Sequence, residues 1–89
     1  MDREKLTEVV INELAEVMKI DKKKVLPESS LMDDLDISSL EILVLIGNLE
    51  AKTGVAIGQE DVAFVDTVSD VVDLILKKGM KSGGKIFGT

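Results

Sequence analysis

Ser30-Leu31-Met32-Asp33-Asp34-Leu35-Asp36-Ile37-Ser38-Ser39-Leu40-Glu41 is the stretch on which the reading of this chain turns. Its last four residues form a helix-start pattern. A Ser at the N-cap and a Glu three positions on each satisfy a backbone N–H that the first turn leaves unpaired. The spacing therefore predicts a helix over 39–53, carried by Leu40, Leu43, Val44, Ile46 and Leu49. Gly54 falls where a left-handed C-terminal cap is expected. The run Ile42 to Ile46 is apolar all round, so this helix either is the most buried or exposes an apolar patch. Gly47 in its middle costs about 1 kcal/mol relative to Ala; we read it as permitting close helix packing.

Upstream, residues 19–38 make a long connection, a length that in a compact domain means either a functional loop or an element without a clear pattern. Val25, Leu26, Leu31, Met32, Leu35 and Ile37 punctuate it and are expected to pin it to a core, with a turn of helix near Ser30–Leu35. Before it, residues 2–18 read as an amphipathic helix. Leu6, Val9, Val10, Leu14, Val17 and Met18 recur at helical spacing, with Glu8, Asn12, Glu13 and Glu16 on the polar side and Ile11 off the stripe. That pattern fails at Asp21-Lys22-Lys23-Lys24, and Pro27 ends any helical reading. Downstream, Gly58-Gln59-Glu60-Asp61-Val62 starts a single helical turn ending near Phe64. Thr67-Val68-Ser69-Asp70 opens a last helix, carried by Val68, Val71, Val72, Ile75 and Leu76 to Gly79, with Lys77 and Lys78 in its final turn suiting the helix dipole. The expected fold is all-α: a small four-helix bundle of three main helices and a short third one. Residues 1–79 form the domain and 80–89 a flexible basic tail.

Composition excludes several classes of function. The chain has 89 residues, room for one small domain. It has no Cys and no His, which removes disulfides, thiolate chemistry and the commonest general base. No carboxylate and Lys pairing stands in for them, so an enzyme is not expected. Phe64 and Phe87 are the only aromatics and the net charge is −6, the wrong balance for nucleic acid. Residues 1–76 hold seven Lys/Arg against all seventeen acids, which is −10; residues 77–89 hold four Lys and no acid. An acidic body favours basic partner surfaces. The longest apolar run is far short of a membrane span. The N-terminus Met1-Asp2-Arg3-Glu4-Lys5 carries no secretory pattern, so a cytoplasmic protein is expected. Asp34 onward fails as a calcium loop, which would need Gly at Ser39 and a bidentate Glu at Leu45.

Acidic loop, Ser-Ser-Leu triplet, helix order and domain length together resemble the acyl carrier protein family, over roughly residues 2–76. In that family an Asp-Ser-Leu triplet carries 4′-phosphopantetheine, taken from coenzyme A, on its Ser. The resemblance implies attachment at Ser39, and acyl intermediates held as thioesters on the arm for fatty acid, lipid or polyketide-type biosynthesis. It also implies docking of a phosphopantetheinyl transferase and of acyl-loading and acyl-processing enzymes through Asp33, Asp34, Asp36, Ser38, Leu40, Glu41, Val44 and Glu50, by a monomer.

The chain departs from the family pattern in two places. Ser38 stands where the family usually has Asp, and Val44 and Ala51 replace acids on the second helix, which suggests a dedicated pathway. Leu43 and Ile46 are expected to face inward against Leu6, Val10, Val65, Val68 and Val72, with Val44 outward. Two other readings stay open on the residues: a peptidyl or aminoacyl carrier domain, and a small acidic adaptor in which Ser38 to Glu41 is only a cap and no prosthetic group is attached.

Overall fold

The computed structural model of the chain describes residues 2–87, with side chains through Gly79. Three long helices carry the fold: α1 (Arg3–Met18), α2 (Ser39–Thr53) and α4 (Val68–Phe87). Between the last two lies the single turn α3 (Gln59–Val62), and a 3-10 turn, Lys22–Lys24, follows α1. No strand occurs among the described residues; Ser30 and Thr67 make one isolated antiparallel bridge.

Each helix starts where its cap dictates. Asp2 caps α1 through the Glu4 N–H. Ser38 and Glu41 form the complete capping box of α2. Thr67 and Asp70 cap α4 reciprocally: the Asp70 N–H donates to Thr67 Oγ1 at 3.2 Å and the Thr67 N–H to Asp70 Oδ2 at 3.0 Å. Gly54, at φ 72°, closes α2 in the left-handed region that Gly occupies without strain.

The three long helices run in the same direction. Lys52, near the end of α2, pairs with Glu13 in the second half of α1, and Gly79 of α4 packs against Val55, just past α2. Parallel helices need connections that travel back along the bundle. This explains both the long segment 19–38 and the segment 54–67 that includes α3. The first is held by backbone hydrogen bonds: the Leu31 N–H donates to Asp66 O, Val68 N–H to Ser29 O and Ser69 N–H to Pro27 O. Leu6, Val10, Leu14, Leu49, Val68, Val72 and Ile75 are almost fully buried at the centre, with Val25, Leu31 and Ile37 reaching in from the long connection. Arg3 ties α1 to Asp73 of α4.

Several expectations need correction. Leu26 and Met32 are exposed and do not anchor the connection. Residues 30–35 make turns rather than helix, and the helical turn sits instead at Lys22–Lys24, capped by Asp21. Short caps of this kind carry no hydrophobic period that could reveal them. Leu43 is 46% exposed, whereas Leu45 is buried at 3%. An all-apolar run gives no phase to a helix, and packing places Leu45 rather than Leu43 inward; Ile46 does face inward, Val44 faces outward, and Val65 is only partly buried. A Cβ at Gly47 would meet nothing within 4 Å, so close packing is not its role.

The opposite holds at Gly79. It does not end α4, and a Cβ there would lie 3.3 Å from Val55 Cγ2, so the glycine serves close packing. Lys77 and Lys78 are consequently not in a last turn; Lys78 instead pairs with Asp61 of α3 at 2.7 Å. The expected tail, 80–89, lies outside the described side chains, α4 being bounded at Phe87.

Candidate functional site

The start of α2 brings two serines with different fates to one helix end. Ser38 has extended backbone, and its Oγ accepts the Glu41 N–H at 3.2 Å, while Glu41 Oε1 accepts the Ser38 N–H at 2.9 Å. Its hydroxyl is turned into the helix end. Ser39 is the first helical residue, exposed, and its hydroxyl enters no hydrogen bond among the described residues. It therefore stands in the positive field of a helix N-terminus with its oxygen open to solvent. A phosphate ester on that oxygen would be favoured by the field, so the residues fit a phosphodiester-linked group.

The remaining predicted residues divide by what their side chains already do. Asp33 and Asp36 are exposed, on the turn leading to Ser38. Asp36 has φ 53°, a left-handed conformation that Asp tolerates better than most residues, and it reverses the chain so that Ile37 is buried. Asp34 is exposed, but its Oδ2 accepts the Ser30 N–H at 2.7 Å and holds the turn. Glu41 is committed to the capping box. Glu50 Oε2 accepts the Ile57 N–H at 2.7 Å, tying the end of α2 to the following segment. Leu40 and Val44 are exposed at 71% and 47%. The acidic set is thus partly structural, with Asp33 and Asp36 the carboxylates that make no such bond among the described residues.

Beside Ser39 opens a groove of about 490 Å³, lined by Leu31, Met32, Ile42, Leu43, Ile46 and, across from α2, by Gln59, Val62, Ala63 and Val65. Leu43 belongs to this lining, which accounts for its exposure. Behind the groove lies a void of about 20 Å³ between Leu45, Leu49, Ile57, Val71 and Leu74. Leu31, Ile42, Ile46, Val62 and Val65 border both spaces. Every residue lining the void is apolar, so nothing there holds a water. Sequence reasoning missed α3 as the far wall, because its four residues carry no pattern beyond a start signal. Asp61 fixes that wall: it accepts the Gly58 N–H at 3.0 Å and pairs with Lys78, and the Lys78 hydrogen bond above all holds its carboxyl below the usual aspartate range. No cluster of metal-ligating side chains occurs among the described residues.

Comparison with known proteins agrees with this geometry. A family model described as "Phosphopantetheine attachment site" matches residues 8–75. The acyl carrier protein of Myxococcus xanthus is 40% identical over 72 residues, 76% of this chain and 91% of that protein. That of Thermosynechococcus vestitus is 37% identical over 78 residues, 88% of this chain and 96% of that protein. The meromycolate extension acyl carrier protein of Mycolicibacterium aurum is 45% identical over 64 residues, 72% of this chain and 66% of that protein.

Proposed function

The chain belongs to the acyl carrier proteins, non-catalytic carriers with a covalent 4′-phosphopantetheine group, and on that premise we propose that Ser39 is its attachment residue. The observation that carries this reading is the contrast at the head of α2: of two adjacent serines, Ser38 is consumed by the cap and Ser39 is exposed at the helix N-terminus. The group supplies a thiol on a long arm, on which an acyl chain is held as a thioester. The chain's own residues do the rest. The N-terminal field of α2 favours the phosphodiester charge. Leu43, Ile46, Val62 and Val65 offer an apolar groove within reach of Ser39, where an acyl chain is kept from water. Asp33 and Asp36, with Leu40 and Val44, form the face on which the transferase and the acyl-processing enzymes dock, acids setting encounter and apolar side chains setting contact. Asp34, Ser38, Glu41 and Glu50 act on docking through the shape they give this face.

The pathway we infer is a dedicated branch of fatty acid or lipid biosynthesis. Exposed Val44 and Ala51 make the α2 face less acidic than a general carrier of the family would have it. The test is the intact mass of the purified chain after incubation with coenzyme A and a broad-specificity phosphopantetheinyl transferase. Wild type should gain one phosphopantetheinyl group and Ser39→Ala none, with fragmentation placing the group on Ser39. A group on Ser38, or a Ser39→Ala variant that is still modified, overturns the assignment.

A further inference from the structure

The positive charge of this acidic chain is collected at one end of the bundle. Because α1, α2 and α4 run in the same direction, Lys19 and the Lys22–Lys24 turn after α1, Lys52 near the end of α2, and Lys77 and Lys78 of α4 all lie toward the end away from Ser39. Lys81 and Lys85 follow on the continuing helix, so Arg3 and Lys5 are the only cations of the sequence elsewhere. Lys19, Lys22, Lys23, Lys24 and Lys77 are exposed. Of the acids at that end, Glu13 is buried against Lys52, Asp61 pairs with Lys78 and Glu50 is bonded to the Ile57 N–H, while Glu16 and Asp21 are exposed beside the lysines. The opposite end carries Asp33, Asp34 and Asp36, with Asp2, Glu4 and Asp66 at the starts of α1 and α4.

Separation decides whether the acidic end cancels this field. The 15 residues of α2 span roughly 22 Å at 1.5 Å per residue. That is more than two Debye lengths of about 8 Å at physiological ionic strength. A surface touching the lysine end feels positive charge despite the net −6. The sequence of α4 adds apolar weight at the same end. From Lys77 to Phe87 it has four Lys, no acid and the large apolar residues Met80, Ile86 and Phe87, whereas Leu76 just before them packs against the core. Lysines interleaved with large apolar residues, with no acid among them, are the chemistry of a segment lying in a lipid interface, and an acidic protein surface would not call for the apolar residues.

We propose that the lysine end of the bundle docks reversibly on anionic lipid surfaces, with Lys22–Lys24 and the C-terminal turns of α4 as its contacts. The carrier would then sit with Ser39 and its acidic docking face directed away from the lipid. The interaction is peripheral: no described helix is long and apolar enough to cross a membrane.

Co-sedimentation of the full chain with phosphatidylcholine vesicles, with and without phosphatidylglycerol, tests this. The expected result is binding to the anionic vesicles alone, lost at high salt. The variant with Lys22, Lys23 and Lys24 all changed to Gln should bind on the order of 100-fold more weakly, three surface lysines each contributing several-fold. Changing Ile86 and Phe87 together to Ser should weaken binding while leaving the helical circular dichroism of the bundle in place. Ser39→Ala should bind like wild type, which separates this result from the fate of the attachment assignment. No binding to anionic vesicles at low salt overturns the proposal. So does equal binding of wild type and the triple Gln variant, or retention on an immobilised acidic polypeptide with none on vesicles.

Discussion

At the scale of single residues, Ser38 and Ser39 carry the same hydroxyl one position apart, and backbone geometry gives them different work. Ser38 is outside the helix with its Oγ on the Glu41 N–H; Ser39 is inside it with its Oγ outward. Ser38→Ala should therefore cost about 1 kcal/mol of stability through the lost cap. Denaturant titration measures this, and the mass gain on Ser39 should persist. Ser38→Asp should change stability by less than about 1 kcal/mol, since both residues cap. It should also speed modification by a transferase of fatty acid synthesis, more at low salt than at high, because it adds charge to the docking face. Equal initial rates for Asp and Ser at low salt would remove charge as the meaning of this departure.

At the scale of elements, α2 divides its apolar run between two tasks. Leu45 is in the core and Leu43 lines the groove. Leu45→Ala should cost roughly 2–5 kcal/mol through lost burial and a cavity. Leu43→Ala should cost clearly less, because nearly half of that residue is already in water. Thermal melts of the two variants give the comparison, and a larger loss at Leu43 would put the groove wall in the core.

The start of α4 has its own pH signature. Hydrogen bonds from the Thr67 and Asp66 N–H groups hold the Asp70 carboxyl below its ordinary value of 3.8. A carboxyl depressed in the folded state stabilises fully above its unfolded value, and that stabilisation disappears as pH falls through the folded value. Asp70→Asn should thus lower the melting temperature by a constant amount near neutral pH. The gap to wild type should narrow only below pH 3.8. A gap that stays constant down to the acid transition would mean that the Asp70 charge has no part in capping α4.

At the scale of the whole molecule, Glu13 and Lys52 lock α1 to α2 at 2.7 Å, the carboxylate buried and the ammonium half-exposed. The hydrogen bond to Glu13 raises the pKa of Lys52, so the pair holds across the neutral range. Removing the lysine leaves a buried carboxylate alone, whereas removing both charges does not. Lys52→Met should lower the melting temperature, and Glu13→Gln added to it should restore part of the loss. A double variant melting below Lys52→Met would assign Glu13 a partner other than Lys52.

Much of this architecture is written in local signals. Capping pairs at Ser38/Glu41 and Thr67/Asp70, the left-handed Gly54 and the periodic stripes of α1 and α4 each act within a few residues, so the chain alone specifies four helices in order and a serine at the head of the second. What depends on distant parts of the chain could not be read that way. An apolar run such as Ile42 to Ile46 has no polar side to set its rotation, so packing against α1 and α4 selects Leu45 for the core and leaves Leu43 to the groove. Glu13 looks like a solvent-facing position until Lys52, 39 residues later, is folded against it. Gly79 looks like a helix end until Val55 is seen beside it. Local hydrogen bonding chooses the elements; the buried surface they share chooses which of their faces meet, and the groove beside Ser39 exists only in that second choice.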